Sequence, residues 1–460
     1  MIRWDNCFSG IRFGEESLSE PTRTQYERDY DRIIYSSPFR RLQNKTQVFP
    51  LPDAVFVHNR LTHSLEVASV GRSLGKQCGQ RLLKKHGDTW NKETRTFYQY
   101  DLPLVISAAC LAHDIGNPPF GHSGEEAIGN YFQKNGDVMI DDKPLRTYVD
   151  DNAWHDLLKF EGNANGFRLL THHFPTRLAG GFRLTYTTLA AMAKYPCAAV
   201  ASDKKKGLHR KKFGFFQDDE TRFREMATRL NMVVDQDEPR SYLRHPFVSM
   251  VEAADDICYL VMDWEDAHRL GIIRFDEAKN ALMPILEASG TDMDRVKENL
   301  NGLKQDPNES IAYLRAKVIG TLIGMCVDVF EEHEAAILNG TFPKALIDGI
   351  PALVQQALEA IRNESVKKIY RHPSVARIEI SGHEVITGLL EAYIPAVLRQ
   401  SPTGKEKSLL HLLPGQYRQP AESSDYQKIL SIIDFVSGMT DIYALQRFQE
   451  LKGIRISLYS

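Results

Sequence analysis

The chain has 460 residues, 42% of them apolar and 25% charged, with a net charge of −3. That is the composition of a folded soluble protein, long enough for one large or two fused domains. It has no acidic or basic excess of the kind that by itself announces a polyanionic partner.

The N-terminal stretch 1–17 contains no apolar core of signal-peptide length, and no later stretch reads as a membrane span, which predicts a cytoplasmic protein with no membrane partner. Apolar residues recur at three- and four-residue spacing through 61–85, 102–113, 123–134, 186–194, 247–270, 276–286, 309–333, 343–362, 383–399 and 427–450, which predicts helices there. Strand-like alternation is confined to 45–49, 213–216 and 376–380. The expected fold class is therefore all-α, mainly helical with a few short strands. Pro118-Pro119, Asn135-Gly136 and Gly180-Gly181 mark turns. The basic run 204–212 reads either as a solvated loop or as an electrostatic contact to nucleic acid or a neighbouring subunit. Cys7, Cys78, Cys110, Cys197, Cys258 and Cys326 stand singly, which fits a reducing compartment and argues against a disulfide framework or a thiolate zinc site.

The chemistry concentrates around 102–122. A strongly apolar helix ends in adjacent His113 and Asp114 and then turns at Gly116 and Pro118. A carboxylate at the end of a buried helix is costly unless compensated, and a divalent cation held by imidazole and carboxylate is one compensation. An adjacent His-Asp pair alone also fits a cap or a surface site. His63 opens an amphipathic helix and reads as a second inward imidazole or a satisfied core histidine. Asp255 sits in an apolar helix and reads as a ligand or a surface residue. Asp255, Tyr259 and Asp263 repeat at i, i+4 and i+8 on one helix face, while Asp256 is turned about 100° away. Ser123 to Glu126 reads as a capping box, which gives Glu126 a structural role and places Glu125 in a first helical turn beside His122.

The order His, His-Asp, Asp on separate helices is the signature of the HD superfamily. Residues 38–50, 60–66, 112–122, 160–163, 252–256 and 438–441 together resemble the bacterial deoxyguanosine triphosphate triphosphohydrolases. They resemble, more distantly, the vertebrate dNTP hydrolases that join a sterile-alpha motif to an HD domain. The blocks at Gln47, Glu161-Gly162-Asn163 and Gly438 to Asp441 carry the family-level likeness.

The resemblance implies an HD-domain helical core over 55–275, an N-terminal segment 1–54 contributing to the active site, and a C-terminal helical region 276–460 completing the nucleotide pocket and oligomer contacts. It implies metal ligands His63, His113, Asp114 and Asp255, with Mn or Mg first among the ions and Fe, Co or Zn also suited to the set. It implies His122 and Glu125 as the acid–base pair. Arg60, Asn163, Lys194 and Tyr195 are its matched phosphate contacts, with Gln47 and Val48 against the sugar and Tyr259 and Asp263 holding the nucleotide. Asn117 stands where the vertebrate relatives carry a second histidine, which leaves His122 as the main acid. The implied reaction is hydrolysis of dGTP or another dNTP to a deoxynucleoside and triphosphate. The implied partner is a homo-oligomer, a hexamer among the options, while the basic run 204–212 keeps single-stranded nucleic acid open as a regulatory partner. The alternatives are another HD nucleotide phosphohydrolase, a phosphodiesterase or 5′-nucleotidase, and an idle nucleotide sensor or nucleic-acid-binding HD protein.

Overall fold

The computed structural model describes residues 2–15, 23–49, 57–175 and 181–454. Pro50 and Gly180, each part of a motif named above, lie outside them. The fold is mainly helical, as expected. Its longer helices are α1 (Gln25–Ile34), α2 (Arg60–His86), α3 (Leu102–Ala112), α4 (His122–Asn135), α5 (Asp151–Leu158), α6 (Gly162–Thr171), α7 (Tyr186–Met192), α8 (Glu220–Arg229), α9 (Val248–Arg269), α10 (Phe275–Ala288), α11 (Met293–Gly302), α12 (Pro307–Glu332), α13 (Ala352–Ser365), α14 (Pro373–Leu398), α15 (Gly404–His411), α16 (Asp425–Ser437) and α17 (Asp441–Leu451). Two small antiparallel hairpins complete the named elements: β1 (Met139–Ile140) with β2 (Lys143–Pro144), and β3 (Val234–Gln236) with β4 (Ser241–Tyr242).

Local chemistry sets the ends that matter for the site. At the start of α2 the Asn59 side chain accepts the Thr62 N–H, and Thr62 Oγ1 accepts the Asn59 N–H. This reciprocal cap fixes where Arg60 and His63 emerge. Helix α3 is buried almost throughout and packs against α2. Apolar residues form two clusters that do not follow chain order. One joins the N-terminal segment, α2, α3, α7 and α9 with α10 to α13. The other joins α4, α5 and the stretch around 197–216 with α14, α16 and α17. The cleft described below lies on the seam between them.

Several sequence expectations need correction. The 376–380 alternation is inside α14, because Pro373 at the first turn and the His372 cap start a helix there. At 45–49 and 213–216 the backbone makes only the single bridges Thr46 to Asn59 and Ala198 to Phe215. The 427–450 periodicity is two helices meeting at 114°, and the helix expected from 343 starts at Ala352, after Pro351. The Ser123–Glu126 capping box is not formed. Gly121 is the N-cap of α4, and Ser123 Oγ donates to the Phe120 carbonyl instead. One helix, α12, is long and apolar enough to cross a membrane by length and composition, contrary to the sequence reading. Here it packs against α2, α9 and α10, with Leu314, Val318, Leu322 and Phe330 buried.

Candidate active site

Four of the sequence-predicted residues converge at the seam. His63 comes from α2, His113 and Asp114 from the end of α3, and Asp255 from the middle of α9. One ligand atom from each of His63, His113 and Asp114 lies within 4.8 Å of the others. Asp255 Oδ1 is 3.2 Å from His63 Nε2 and 3.4 Å from His113 Nε2, and Asp114 Oδ1 is 3.5 Å from His113 Nε2. Atoms about 2.1 Å from a shared cation stand roughly 3.0–3.4 Å apart, so these spacings fit a metal. His113 supplies a second test. Its Nδ1 lies 2.6 Å from the Cys110 carbonyl, which makes that nitrogen the donor. Its Nε2 is buried with no hydrogen-bond partner among the described residues. An orphaned imidazole lone pair facing two carboxylates is what a cation would satisfy.

Each carboxylate divides its oxygens between this centre and a cation. Asp114 Oδ2 accepts from Arg60 at 2.6 Å, and Asp255 Oδ2 accepts from Lys194 at 2.5 Å. Burial pushes both carboxyls up, but these cations and the neighbouring imidazoles outweigh it and hold both well below the usual range. Asn117, which takes the place of the second histidine, donates to Asp114 Oδ1 at 2.6 Å. It therefore orients that carboxylate.

The centre forms the floor of a chamber of about 410 Å³, whose wall includes Asn163, Lys194, Tyr195, Lys212, Glu125 and His122. Among the described residues four cations and five carboxyls face it. With a divalent ion added the balance turns positive, as a polyphosphate requires. A second chamber of about 320 Å³ adjoins it and shares Gln47, Val48, Arg60, His122 and Tyr259. Gln47 Oε1 and Arg60 Nε are buried there with no partner among the described residues, an acceptor and a donor left for a ligand.

His122 is exposed to both chambers. Desolvation by the surrounding cleft lowers its pKa from the ordinary 6.5, and the Lys212 and Arg60 cations lower it further. It sits at the first turn of α4 because Gly121 takes φ +60°, and a Cβ at Gly121 would fall 2.5 Å from the Arg60 guanidinium. Glu125 does not bond to His122. It accepts the Gly162 N–H at 2.9 Å, and burial raises its pKa. Asp263 is on the expected face of α9 but stands behind Tyr370, whose hydroxyl donates to it at 2.6 Å. Burial raises that carboxyl to about 7. Tyr370 and Tyr259 stack with centroids 5.8 Å apart, and both face the second chamber.

Sequence reasoning missed three members of the site. Lys212 ends the basic run. Its Nζ is 2.9 Å from Glu161 and 3.8 Å from Glu125, so the run is a surface turn at Lys204–Lys206 and part of the chamber wall at its end. No local signal separates these fates. Glu161 lay inside a recognised block and is identified by its pairing. Tyr370 lies far from any motif and carried no signal.

The chain is similar to known proteins over almost its whole length. The HD domain family matches residues 60–160, and the phosphohydrolase-associated domain matches 349–450. A deoxyguanosinetriphosphate triphosphohydrolase-like protein of Synechocystis sp. is 37% identical, covering 99% of this chain and all of its own length. One from Pseudomonas aeruginosa is 36% identical, covering 98% of each chain. The deoxyguanosinetriphosphate triphosphohydrolase of Yersinia pseudotuberculosis is 31% identical, covering 98% of this chain and 97% of its own length. Because the identity runs through both halves of the cleft and not through the HD segment alone, this chain belongs to the deoxyguanosinetriphosphate triphosphohydrolase family, and its HD centre makes it a phosphohydrolase.

Proposed function

We propose that the protein hydrolyses deoxynucleoside triphosphates, dGTP first among them, to a deoxynucleoside and inorganic triphosphate. The observation that carries this is the place of His122. It stands where the charged chamber above the His63, His113, Asp114 and Asp255 centre meets the second, mixed chamber. A triphosphate in the first chamber and a nucleoside in the second would bring the bond between the α-phosphorus and the 5′-oxygen to this junction.

When bound to the four ligands, a divalent metal supplies Lewis-acid polarisation of a phosphate and an activated water. The chain's own residues do the rest. Lys194, Lys212 and the unspent Nε donor of Arg60 bind the phosphate oxygens, Arg as a planar donor and Lys as a point charge. His122 delivers a proton to the departing 5′-oxygen. Glu125, through the Gly162 N–H, fixes the start of α6 and with it Asn163 at the phosphate end. The unpartnered Gln47 carbonyl accepts a sugar hydroxyl, and Val48 crowds the position where a ribose would carry a second one. Among the described residues the one carboxylate on the wall of the second chamber is Glu379, an acceptor matched to the N–H edge of guanine.

Product analysis tests the reading. With dGTP and Mn or Mg, chromatography should show deoxyguanosine and triphosphate in equal amounts. Deoxynucleoside monophosphate with pyrophosphate, or diphosphate with orthophosphate, would refute it even if the metal ligands proved right.

A further inference from the structure

Both walls at the junction hang on one carboxylate from the far end of the chain. Asp441 is the first residue of α17, at the corner where α16 and α17 cross at 114°. Its Oδ2 accepts the Thr46 N–H at 2.8 Å, and its Oδ1 accepts the Phe120 N–H at 3.0 Å. Thr46 immediately precedes Gln47, and Phe120 stands two residues before His122. The same corner is tied to this turn twice more. Lys45 Nζ donates to the carbonyls of Asn117 and Ser437, at 2.5 and 2.9 Å. Asn165 Nδ2 donates to the Gly116 carbonyl at 2.6 Å and to Ser437 Oγ at 3.1 Å.

The turn needs such support. Phe120 has φ +63°, a conformation disfavoured for a bulky side chain, which persists only where the surroundings enforce it. Asp441 holds its N–H. Helix α14 presses from the other side, so close that a Cβ on Gly382 would lie 2.6 Å from Phe120 Cβ. Two C-terminal elements thus determine where α4 begins and where His122 points.

We propose that Asp441 is a positioning residue for this site. One carboxylate, accepting through both oxygens, fixes the spacing between the Gln47 wall and the His122 wall, and so makes the C-terminal region part of the active site without supplying a reacting group. What the two walls do rests on the function proposed above, whereas the double hook is independent of it.

The substitution Asp441→Asn nearly conserves volume but turns a donor nitrogen toward one of the two N–H groups, which breaks one hook. In the full-length, metal-loaded protein, amide hydrogen exchange in peptides covering 45–49 or 114–121 should accelerate about tenfold or more. Metal content should stay at the parent level. With dNTP substrate, kcat should fall by up to about 100-fold, the effect of a small misplacement, and the preference for deoxy- over ribonucleotide should shrink. Thr440→Ala is the control, because it removes the α17 cap on the Tyr443 N–H and keeps both hooks. It should lower the melting temperature and leave exchange in those peptides and the sugar preference as they were. Unchanged exchange in Asp441→Asn, or the same exchange and kinetic response in both variants, overturns the positioning role. If the parent releases no deoxynucleoside, the functional reading falls and the exchange comparison alone decides the role of Asp441.

Discussion

Removing the His122 imidazole separates proton delivery from everything else in the site. The side chain is exposed to the cleft and makes no hydrogen bond among the described residues. His122→Ala therefore orphans no buried group and leaves His63, His113, Asp114 and Asp255 in place. Stability should change by no more than about 0.5 kcal/mol, the range for surface substitutions. The cost falls on the barrier: losing a general acid lowers kcat by about 10²–10⁴, which is roughly 3–5 kcal/mol. The assay is to compare dGTP with a triphosphate ester of a nitrophenol under metal saturation. An alkoxide leaving group needs the proton and a nitrophenolate does not. The variant should therefore lose its full factor on dGTP and less than about tenfold on the aryl ester. The parent's kcat/KM should also fall with rising pH from below neutrality, because only the protonated imidazole can donate and the substrate-free site holds its pKa below 6.5. A penalty of equal size on both substrates would show that His122 orients the substrate and does not protonate it.

Two further outcomes test other parts of the site. Asp114→Ala should lose bound divalent metal and turnover together while remaining folded, and full metal occupancy in the variant would remove Asp114 from the ligand set. Asp263→Asn should alter the pH dependence of stability. Burial raises the Asp263 pKa from 3.8 to about 7, so its favourable protonated state is complete below about pH 4 and is lost as pH rises through 7, by at most about 4 kcal/mol. The variant keeps an acceptor for Tyr370 and cannot ionise. Its melting temperature relative to the parent should rise between pH 5 and pH 8, and a constant difference would show that Asp263 does not titrate in that window.

The candidate metal centre was legible in the sequence because its four residues sit in three motifs, each on or at the end of a helix whose apolar period gives the inward face. His63, His113, Asp114 and Asp255 meet as that pattern implies. What lies in front of a helix face was not legible. Asp263 shares the face of Asp255, but Tyr370, 107 residues later, stands between it and the chamber. Lys212 was hidden because a basic run reads alike whether it meets solvent or a carboxylate. The strand expected at 376–380 failed because five alternating residues carry less information than the proline and cap that precede them. The cap expected at Ser123 failed because a left-handed Phe120 and Gly121, stabilised from the C-terminal helices, start α4 one residue before it.

The contact between Thr46 and Asp441 spans 395 residues, and that separation orders events during synthesis. A ribosome adding about 5–20 residues per second needs roughly 20–80 s to make the intervening chain. Through that interval Gln47 has emerged and the HD helices can pack, yet the carboxylate that joins the two walls does not exist. The nascent protein can thus pack the helices that carry His63 and His113 long before the two walls of the cleft are joined, and the synthesis of the stretch around Asp441 decides when the site is complete.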